Sequence, residues 1–167
     1  MTTKTLLFAT LAVLALASCA TRDPMPFAEA TNCFYPACVV NVAVVEEGGV
    51  RKLRMTNDGN VRMGTRHRLT AIVWNLQTPG YEFRGNSIRP AAITAPAGGL
   101  SPAGLWDSQI ISHNWSYNSV SVTDLNTERA VMAYDITVYP DGIVRGDPVT
   151  ATRGIVNDPG PYPQRQQ

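Results

Sequence analysis

Residues 130–139 read Ala-Val-Met-Ala-Tyr-Asp-Ile-Thr-Val-Tyr, and this stretch decides the fold class. Large apolar side chains occupy every second position: Met132, Tyr134, Ile136 and Val138. Asp135 and Thr137 alternate with them. Successive side chains of a β-strand point to opposite faces, so this period of two predicts a long strand with one buried face.

The same period recurs along much of the chain. Further strands are expected at residues 40–44, 50–55, 69–76, 81–83, 118–123 and 143–144. The pair Gly48-Gly49 supplies a turn, so the first two of these segments should form a hairpin. No window of helical length shows a 3.6-residue apolar period, and only a weak helical turn is expected at residues 102–107.

The sequence therefore predicts an all-β fold, an antiparallel β-sandwich of about six to eight strands. The strands that carry Trp74 and Tyr134 should lie at its centre. The classical immunoglobulin fold bridges its two sheets with a cysteine pair over a core tryptophan. Because no cysteine follows Cys38, that inter-sheet disulfide is missing here.

Several core-pattern segments together resemble a known group of proteins. They are Ile72-Val-Trp-Asn-Leu76, Gly80-Tyr-Glu-Phe83, Ser87-Ile88, the stretch from Val120 to Asn126, residues 134–138, and residues 147–157. Together they are similar to small secreted proteobacterial lipoproteins with a cupredoxin-like or immunoglobulin-like β-sandwich. The resemblance covers about residues 38–157 and implies that fold, but it carries over no catalytic residue.

The N-terminus has the features of an export signal. Lys4 is the only charge in the first 21 residues, and residues 6–17 are apolar apart from Thr10. This run is shorter than the roughly 20 residues that span a bilayer as a helix. Leu16-Ala-Ser-Cys19 resembles the lipobox of bacterial lipoproteins, which implies cleavage before Cys19 and lipid attachment to its thiol. The alternative is an ordinary secretory signal followed by a chance cysteine.

The predicted anchor organises the rest of the chain. Residues 1–18 would be the signal peptide, residues 19–32 a flexible tether, residues 33–156 the folded domain, and residues 157–167 a proline-rich tail. The residue after Cys19 is Ala20 and not aspartate, which by the same resemblance favours the outer membrane, facing the periplasm. The membrane itself is then a predicted partner through the lipid.

Two further cysteines, Cys33 and Cys38, remain as the one available pair if Cys19 is lipidated. An exported protein can form disulfides, so a structural bridge is expected, which should fix how the chain enters the first strand. A redox or metal pair is the alternative. Redox pairs are typically closer in sequence, and zinc would need more ligands than His67 and His113 can supply.

Charge excludes one class of partner and leaves another open. Cleavage would remove Lys4 and leave 13 basic residues against 13 acidic ones, so bulk charge indicates no nucleic-acid partner. Six basic residues nevertheless cluster in a short stretch: Arg51, Lys52, Arg54, Arg62, Arg66 and Arg68. They would form a patch for an anionic glycan, a lipid headgroup or an acidic protein. The favoured alternative is charged strand edges that block unwanted pairing.

Several chemistries are poorly matched. A blue-copper site needs two histidines and a cysteine, with the cysteine and the second histidine close together late in the chain, and neither residue type follows His113. Residues 99–103 nearly imitate a nucleophile elbow, but Ala103 stands where glycine is required. Asp124, Asn126 and Glu128 resemble the start of a calcium loop, whose glycine and later glutamate are missing, so a hairpin turn is favoured. No cofactor, metal or enzymatic activity is predicted.

Exposed aromatic side chains would give one further kind of site. Trp106, Trp115 and Tyr117 flank loop-like segments, where they could stack on sugars or a partner, although a position in the core is favoured. The favoured function is a non-enzymatic structural or interaction module of the cell envelope. The alternative is a ligand- or glycan-binding module that uses residues 51–68 and the loop aromatics.

Overall fold

The computed structural model describes residues 29–34, 36–64, 69–91 and 102–158, with the side chains of residues 102 and 103 left out. In this part of the chain the structure is mostly strands, which form two sheets packed together. The strands are β1 (Thr31–Cys33), β2 (Ala37–Glu47), β3 (Val50–Met55), β4 (Val61–Met63), β5 (Thr70–Leu76), β6 (Tyr81–Glu82), β7 (Ile88–Pro90), β8 (Ile110–Trp115), β9 (Ser119–Asp124), β10 (Ala130–Pro140) and β11 (Val149–Asn157). One helix, α1 (Pro102–Gln109), precedes β8.

The first sheet has the order β1-β4-β11-β10-β6, and β7 also pairs with β10. Strands β10 and β11 form its main antiparallel pair, in register from Ala130 opposite Asn157 to Val138 opposite Val149. The second sheet has the order β3-β2-β5-β9-β8. The hairpin of β2 and β3 predicted around Gly48-Gly49 is present, and β5 occupies the middle of the sheet.

Two parts of the predicted architecture are wrong. The sheets are mixed, because β1 with β4, β4 with β11, and β2 with β5 are parallel pairs. Parallel neighbours need a crossover connection, and between β2 and β5 the chain passes through the first sheet as β4. The described residues form eleven strands and not six to eight. The strands that were not predicted are β1, β4, β7, β8 and β11, and the first three of these have only three residues each, too few for a period to show in the sequence.

The core is centred on Trp74 of β5 and Tyr134 of β10, as predicted. Both side chains are fully buried, and their ring centroids lie 5.0 Å apart across the two sheets. The indole Nε1 of Trp74 donates a hydrogen bond to the Tyr134 hydroxyl over 3.0 Å, and that hydroxyl donates to the carbonyl of Gly59. Burial raises the pKa of Tyr134 well above its ordinary value. These hydrogen bonds link the two sheets, and they use both the indole N–H of Trp74 and the hydroxyl of Tyr134 as donors.

A disulfide and a helix complete the fold. A disulfide joins Cys33 at the end of β1 to Cys38 near the start of β2, with a Cα–Cα distance of 5.0 Å. Helix α1 contacts β7, β8 and β10, and its Leu105 and Trp106 pack against the core. The helix therefore covers one side of the space between the sheets. Among the described residues there is no helix with the length and apolar character needed to cross a bilayer.

The ends of the domain differ from expectation. Strand β1 begins at Thr31, within the stretch assigned to the tether. Asn157, assigned to the tail, ends β11 and is fully buried. Residues 143–144, expected to pair back as a strand, are bends, and β11 begins later at Val149. Cys19, the signal peptide and the elbow-like residues 99–101 lie outside the described residues.

Candidate functional site

The basic stretch is divided between two faces and two sheets. Lys52 and Arg54 lie on the outer face of β3, and both pair with Glu47 of the neighbouring strand, at 3.5 and 3.1 Å. The hydrogen bond from Arg54, followed by that from Lys52, lowers the pKa of Glu47 below its ordinary value. These two cations therefore form part of a paired, charged sheet edge.

The other basic residues point elsewhere. Arg51 faces the opposite way and donates from Nη1 to the carbonyl of Arg145 over 2.8 Å. It borders an open depression of about 580 Å³ that also contains Glu46 and Asp147, so charges of both signs line it. Arg62 belongs to β4 of the first sheet, where its Nη2 lies 3.8 Å from a carboxylate oxygen of Asp158. Arg66 and Arg68 lie outside the described residues.

Aromatic side chains gather at the opposite edge of the second sheet. Trp115 ends β8 and is 58% exposed, and Tyr117 follows in the turn to β9 at 52% exposure. The Trp115 indole lies directly on Gly85, where an added Cβ would come within 3.1 Å of Nε1. The backbone N–H of Phe83 donates to the carbonyl of Tyr117 over 2.9 Å. The segment after β6 thus holds both aromatic residues in place.

Charged groups complete this surface. The guanidinium of Arg84 lies over the ring of Tyr139, 4.5 Å from its centroid, and its Nε donates to Glu82 over 2.7 Å. The Tyr117 hydroxyl donates to Asp141 over 2.6 Å. We call this set the aromatic rim; its members are Glu82, Arg84, Trp115, Tyr117, Tyr139 and Asp141. Two exposed aromatic rings, a stacked guanidinium and two carboxylates offer both stacking and hydrogen bonding to a ligand.

The carboxylate of Asp141 determines the protonation state of the Tyr117 hydroxyl in the rim. The hydrogen bond to the Asp141 carboxylate is the main reason that the pKa of Tyr117 rises to about 12. The same bond lowers the pKa of Asp141. At neutral pH Tyr117 is therefore a neutral hydrogen-bond donor beside an ionised acceptor.

Only part of the rim could be predicted from the sequence. Trp115 and Tyr117 were candidates for stacking, but a place in the core was favoured for them, whereas both are about half exposed. Trp106, the third aromatic residue named, packs against the core from α1 and is separate from the rim. Arg84 and Tyr139 were missed because they meet only through the pairing of Glu82 with Tyr139 between β6 and β10.

A second polar cluster is fully buried where several elements end or begin. Its members are Thr70 at the start of β5, Gln109 at the end of α1, Asp124 at the end of β9, Asn126, and Asn157 at the end of β11. Asp124 Oδ1 accepts from the backbone N–H of Asn126 at 2.7 Å and from Asn157 Nδ2 at 3.0 Å. Gln109 Oε1 accepts from the N–H of Thr127 and from Asn157 Nδ2.

This buried polar cluster replaces the predicted hairpin turn. Asp124 does form a turn with its own backbone, since it accepts from the N–H of Asn126, which has a positive φ of 46°. However, the turn leads from β9 in one sheet to β10 in the other, so it is a crossover and not a hairpin. Burial raises the pKa of Asp124 to about 6, although its two hydrogen bonds act in the opposite direction. No solvent reaches this carboxyl, so its role is structural.

Of the two histidines, the structure describes one. His113 lies on β8 and is exposed, and His67 lies outside the described residues. Within the described ranges, no three histidine, cysteine, aspartate or glutamate side chains are grouped as a metal site would require.

No protein-family model matches the sequence, and no curated protein shows significant similarity to it. The aromatic rim is therefore the candidate site that the geometry itself provides.

Proposed function

We propose that this protein is a non-enzymatic interaction module of the cell envelope. It is held by lipid on Cys19 at the periplasmic face of the bacterial outer membrane, and its folded domain is a β-sandwich of the immunoglobulin-like or cupredoxin-like kind. The proposal on location rests on the N-terminal run and the lipobox-like residues before Cys19. A disulfide between Cys33 and Cys38 is consistent with an oxidising compartment.

The aromatic rim is the observation that carries the proposal. Exposed aromatic and arginine side chains are enriched where proteins bind one another. Here Trp115 and Tyr117 are held by contacts from the segment of Phe83 to Gly85, and Tyr117 also by Asp141. Because these side chains are already ordered, little conformational entropy is lost when a partner binds. The rim therefore fits a protein partner in the envelope.

A glycan is the second candidate ligand, because the rim combines flat rings with hydrogen-bonding groups of both kinds. Sugar rings stack on exposed aromatic faces, and the Asp141 and Glu82 carboxylates can accept bonds from sugar hydroxyls. The basic stretch is less suited to this role, since Lys52 and Arg54 already share Glu47 and Arg62 belongs to the other sheet.

Charge reversal at two sites would distinguish the rim from the basic stretch. We expect Arg84→Glu to remove the stacked cation and to reduce recovery of envelope proteins crosslinked to the full-length protein in intact cells. Lys52→Glu, a matched reversal at an exposed position on β3, should leave recovery unchanged. Loss with Lys52→Glu alone would assign the contact to the basic stretch. Recovery of no envelope protein by the unaltered chain, with binding to purified envelope glycan that Arg84→Glu abolishes, would favour the glycan.

A further inference from the structure

The four sheet edges are protected unequally. Strands β1 and β6 have three and two residues, and β3 carries Arg51, Lys52 and Arg54. Short edge strands and edge charges are the common ways in which proteins prevent strand pairing between molecules. Strand β8 has six residues with no Lys, Arg, Asp or Glu among them, and within the described ranges its protection is limited to an irregularity between Ile110 and Ser112.

The register of β8 shows which backbone groups are available. The N–H of Ser116 donates to the carbonyl of Ser119, which fixes the alternation of hydrogen bonds between β8 and β9. In an antiparallel pair, bonded positions alternate with positions whose N–H and C=O point away from the neighbour. Trp115 opposite Val120 and His113 opposite Val122 are of the second kind. In the described part of the chain no strand pairs with this outward edge of β8.

We propose that β8 pairs with β8 of a second copy of this chain, antiparallel, about a two-fold axis at Asn114. The outward groups at His113 would then bond to those at Trp115 of the second copy, and the reverse. The two Asn114 residues would face each other in the position between hydrogen bonds. The second sheets of the two copies would join into one continuous sheet of ten strands.

The chemistry of β8 favours a second copy as its occupant, because the strand is complementary to itself in this register. Like charges directly opposite each other across two strands are destabilising, but this register opposes no Lys, Arg, Asp or Glu side chain to another. Ile111, which is 53% exposed, would approach Tyr117 of the second copy, itself 52% exposed. Two exposed apolar surfaces would thus be covered by the same contact that satisfies the backbone.

The contact is small, and this sets the conditions under which it forms. A six-residue strand buries well under the roughly 800 Å² per partner of a standard stable interface. The pairing should therefore be weak for freely diffusing molecules. It rests on the proposed lipid anchor for its strength, since two copies held on one membrane face meet at a much higher effective concentration.

Cysteine crosslinking tests the register directly. Residues opposite each other between hydrogen bonds have Cα atoms about 4.5 Å apart, within the range that a disulfide spans. We expect Asn114→Cys in the full-length protein to give a covalent dimer in membranes that reductant dissolves. Val39→Cys is the control, because it lies exposed on β2 in the same sheet. No dimer with Asn114→Cys, or equal dimer with both variants, would overturn the proposal.

A second variant separates this pairing from the anchor and from the rim. Asn114→Lys places two lysines at the axis, and we expect it to abolish co-purification of two differently tagged copies, whereas Val39→Lys should preserve it. Fractionation of the same samples shows whether the protein is attached to the membrane. If the protein is found in the soluble fraction, the crosslink is measured there at high protein concentration, and its absence there still rejects the pairing. Dimers that persist in Arg84→Glu protein lacking the envelope contact would show that the pairing of β8 does not need that contact, although Tyr117 belongs to both surfaces.

Discussion

Replacing Asp124 with asparagine removes a carboxylate from the buried polar cluster while keeping the shape of the side chain. The Oδ1 atom that accepts from the N–H of Asn126 and from Asn157 is retained. The second oxygen, Oδ2, has no hydrogen-bond partner among the described residues. The new amide group would take the place of this oxygen in a cluster where Asn157 Oδ1 and Thr70 Oγ1 also have no hydrogen-bond partner among the described residues. Asp124→Asn should therefore fold normally.

The magnitude follows from the raised pKa of Asp124. The pKa of its carboxyl is about 6 in the folded protein, against an ordinary value of 3.8. Each unit of difference corresponds to about 1.4 kcal/mol, so ionising Asp124 costs the folded state roughly 3 kcal/mol. Between these two pH values the unfolded chain has lost its proton and the folded one retains it. Stability from this group is thus fully present below pH 3.8, falls as the pH rises, and is lost above about pH 6.

Urea denaturation of both proteins at pH 4 and pH 7.5 would measure this effect. We expect the free energy of unfolding of the asparagine variant, relative to the unaltered protein, to increase by roughly 2.5 kcal/mol between the two pH values, because a small part of the full effect is already lost at pH 4. Taking the difference between the proteins cancels the titration of groups they share. Asp107→Asn, the same change at an exposed position on α1, is the matched control. A difference that stays constant with pH, or that changes in the opposite direction, would show that burial does not raise the pKa of Asp124.

Three other changes test the core, the rim and the anchor. Trp74→Phe removes the hydrogen bond to Tyr134 and part of the ring contact, so we expect a loss of about 2 kcal/mol in the free energy of unfolding by chemical denaturation; a neutral result would show that the contact between the sheets contributes little. Asp141→Asn should bring the pKa of Tyr117 down from about 12 towards about 10, measured by NMR of isotope-labelled tyrosine, and an unchanged value would mean that the hydroxyl does not donate to Asp141. Cys19→Ala should move the protein from the membrane fraction to the soluble fraction of lysed cells, and continued sedimentation with membranes would exclude Cys19 as the anchor.

The sequence was informative about the long strands and the centre of the core. In β5 the buried side chains alternate with partly exposed ones, and in β10 the large apolar residues at every second position are all buried, although Ala133 and Thr137 between them are buried too, so the period could be detected without a structure. Parallel pairing could not be predicted in this way, because alternation indicates which face is buried and not which strand lies alongside. The pairing of β2 with β5 depends on the passage of the chain through β4, a strand of three residues.

The aromatic rim and the buried polar cluster were harder to predict, because their residues come from the ends of different strands and helices. Asn157 stands beside a proline-rich stretch and looked like part of a tail, yet it is buried between Asp124 and Gln109. Arg84 and Tyr139 are far apart in sequence and meet through a two-residue strand. The pairing of Cys33 with Cys38 was predictable, since exclusion of Cys19 left one combination and the separation is five residues.

The position of β11 has a consequence for how the protein reaches its folded state. This last strand lies between β4 and β10, so it joins the early part of the first sheet to the late part. Until residues 149–157 have been synthesised and delivered, β10 lacks its main neighbour and β4 has only β1 beside it. Sheets that depend on contacts distant in sequence fold slowly. The first sheet is therefore completed only when the last strand of the domain is in place, which would suit the export that we propose for this protein.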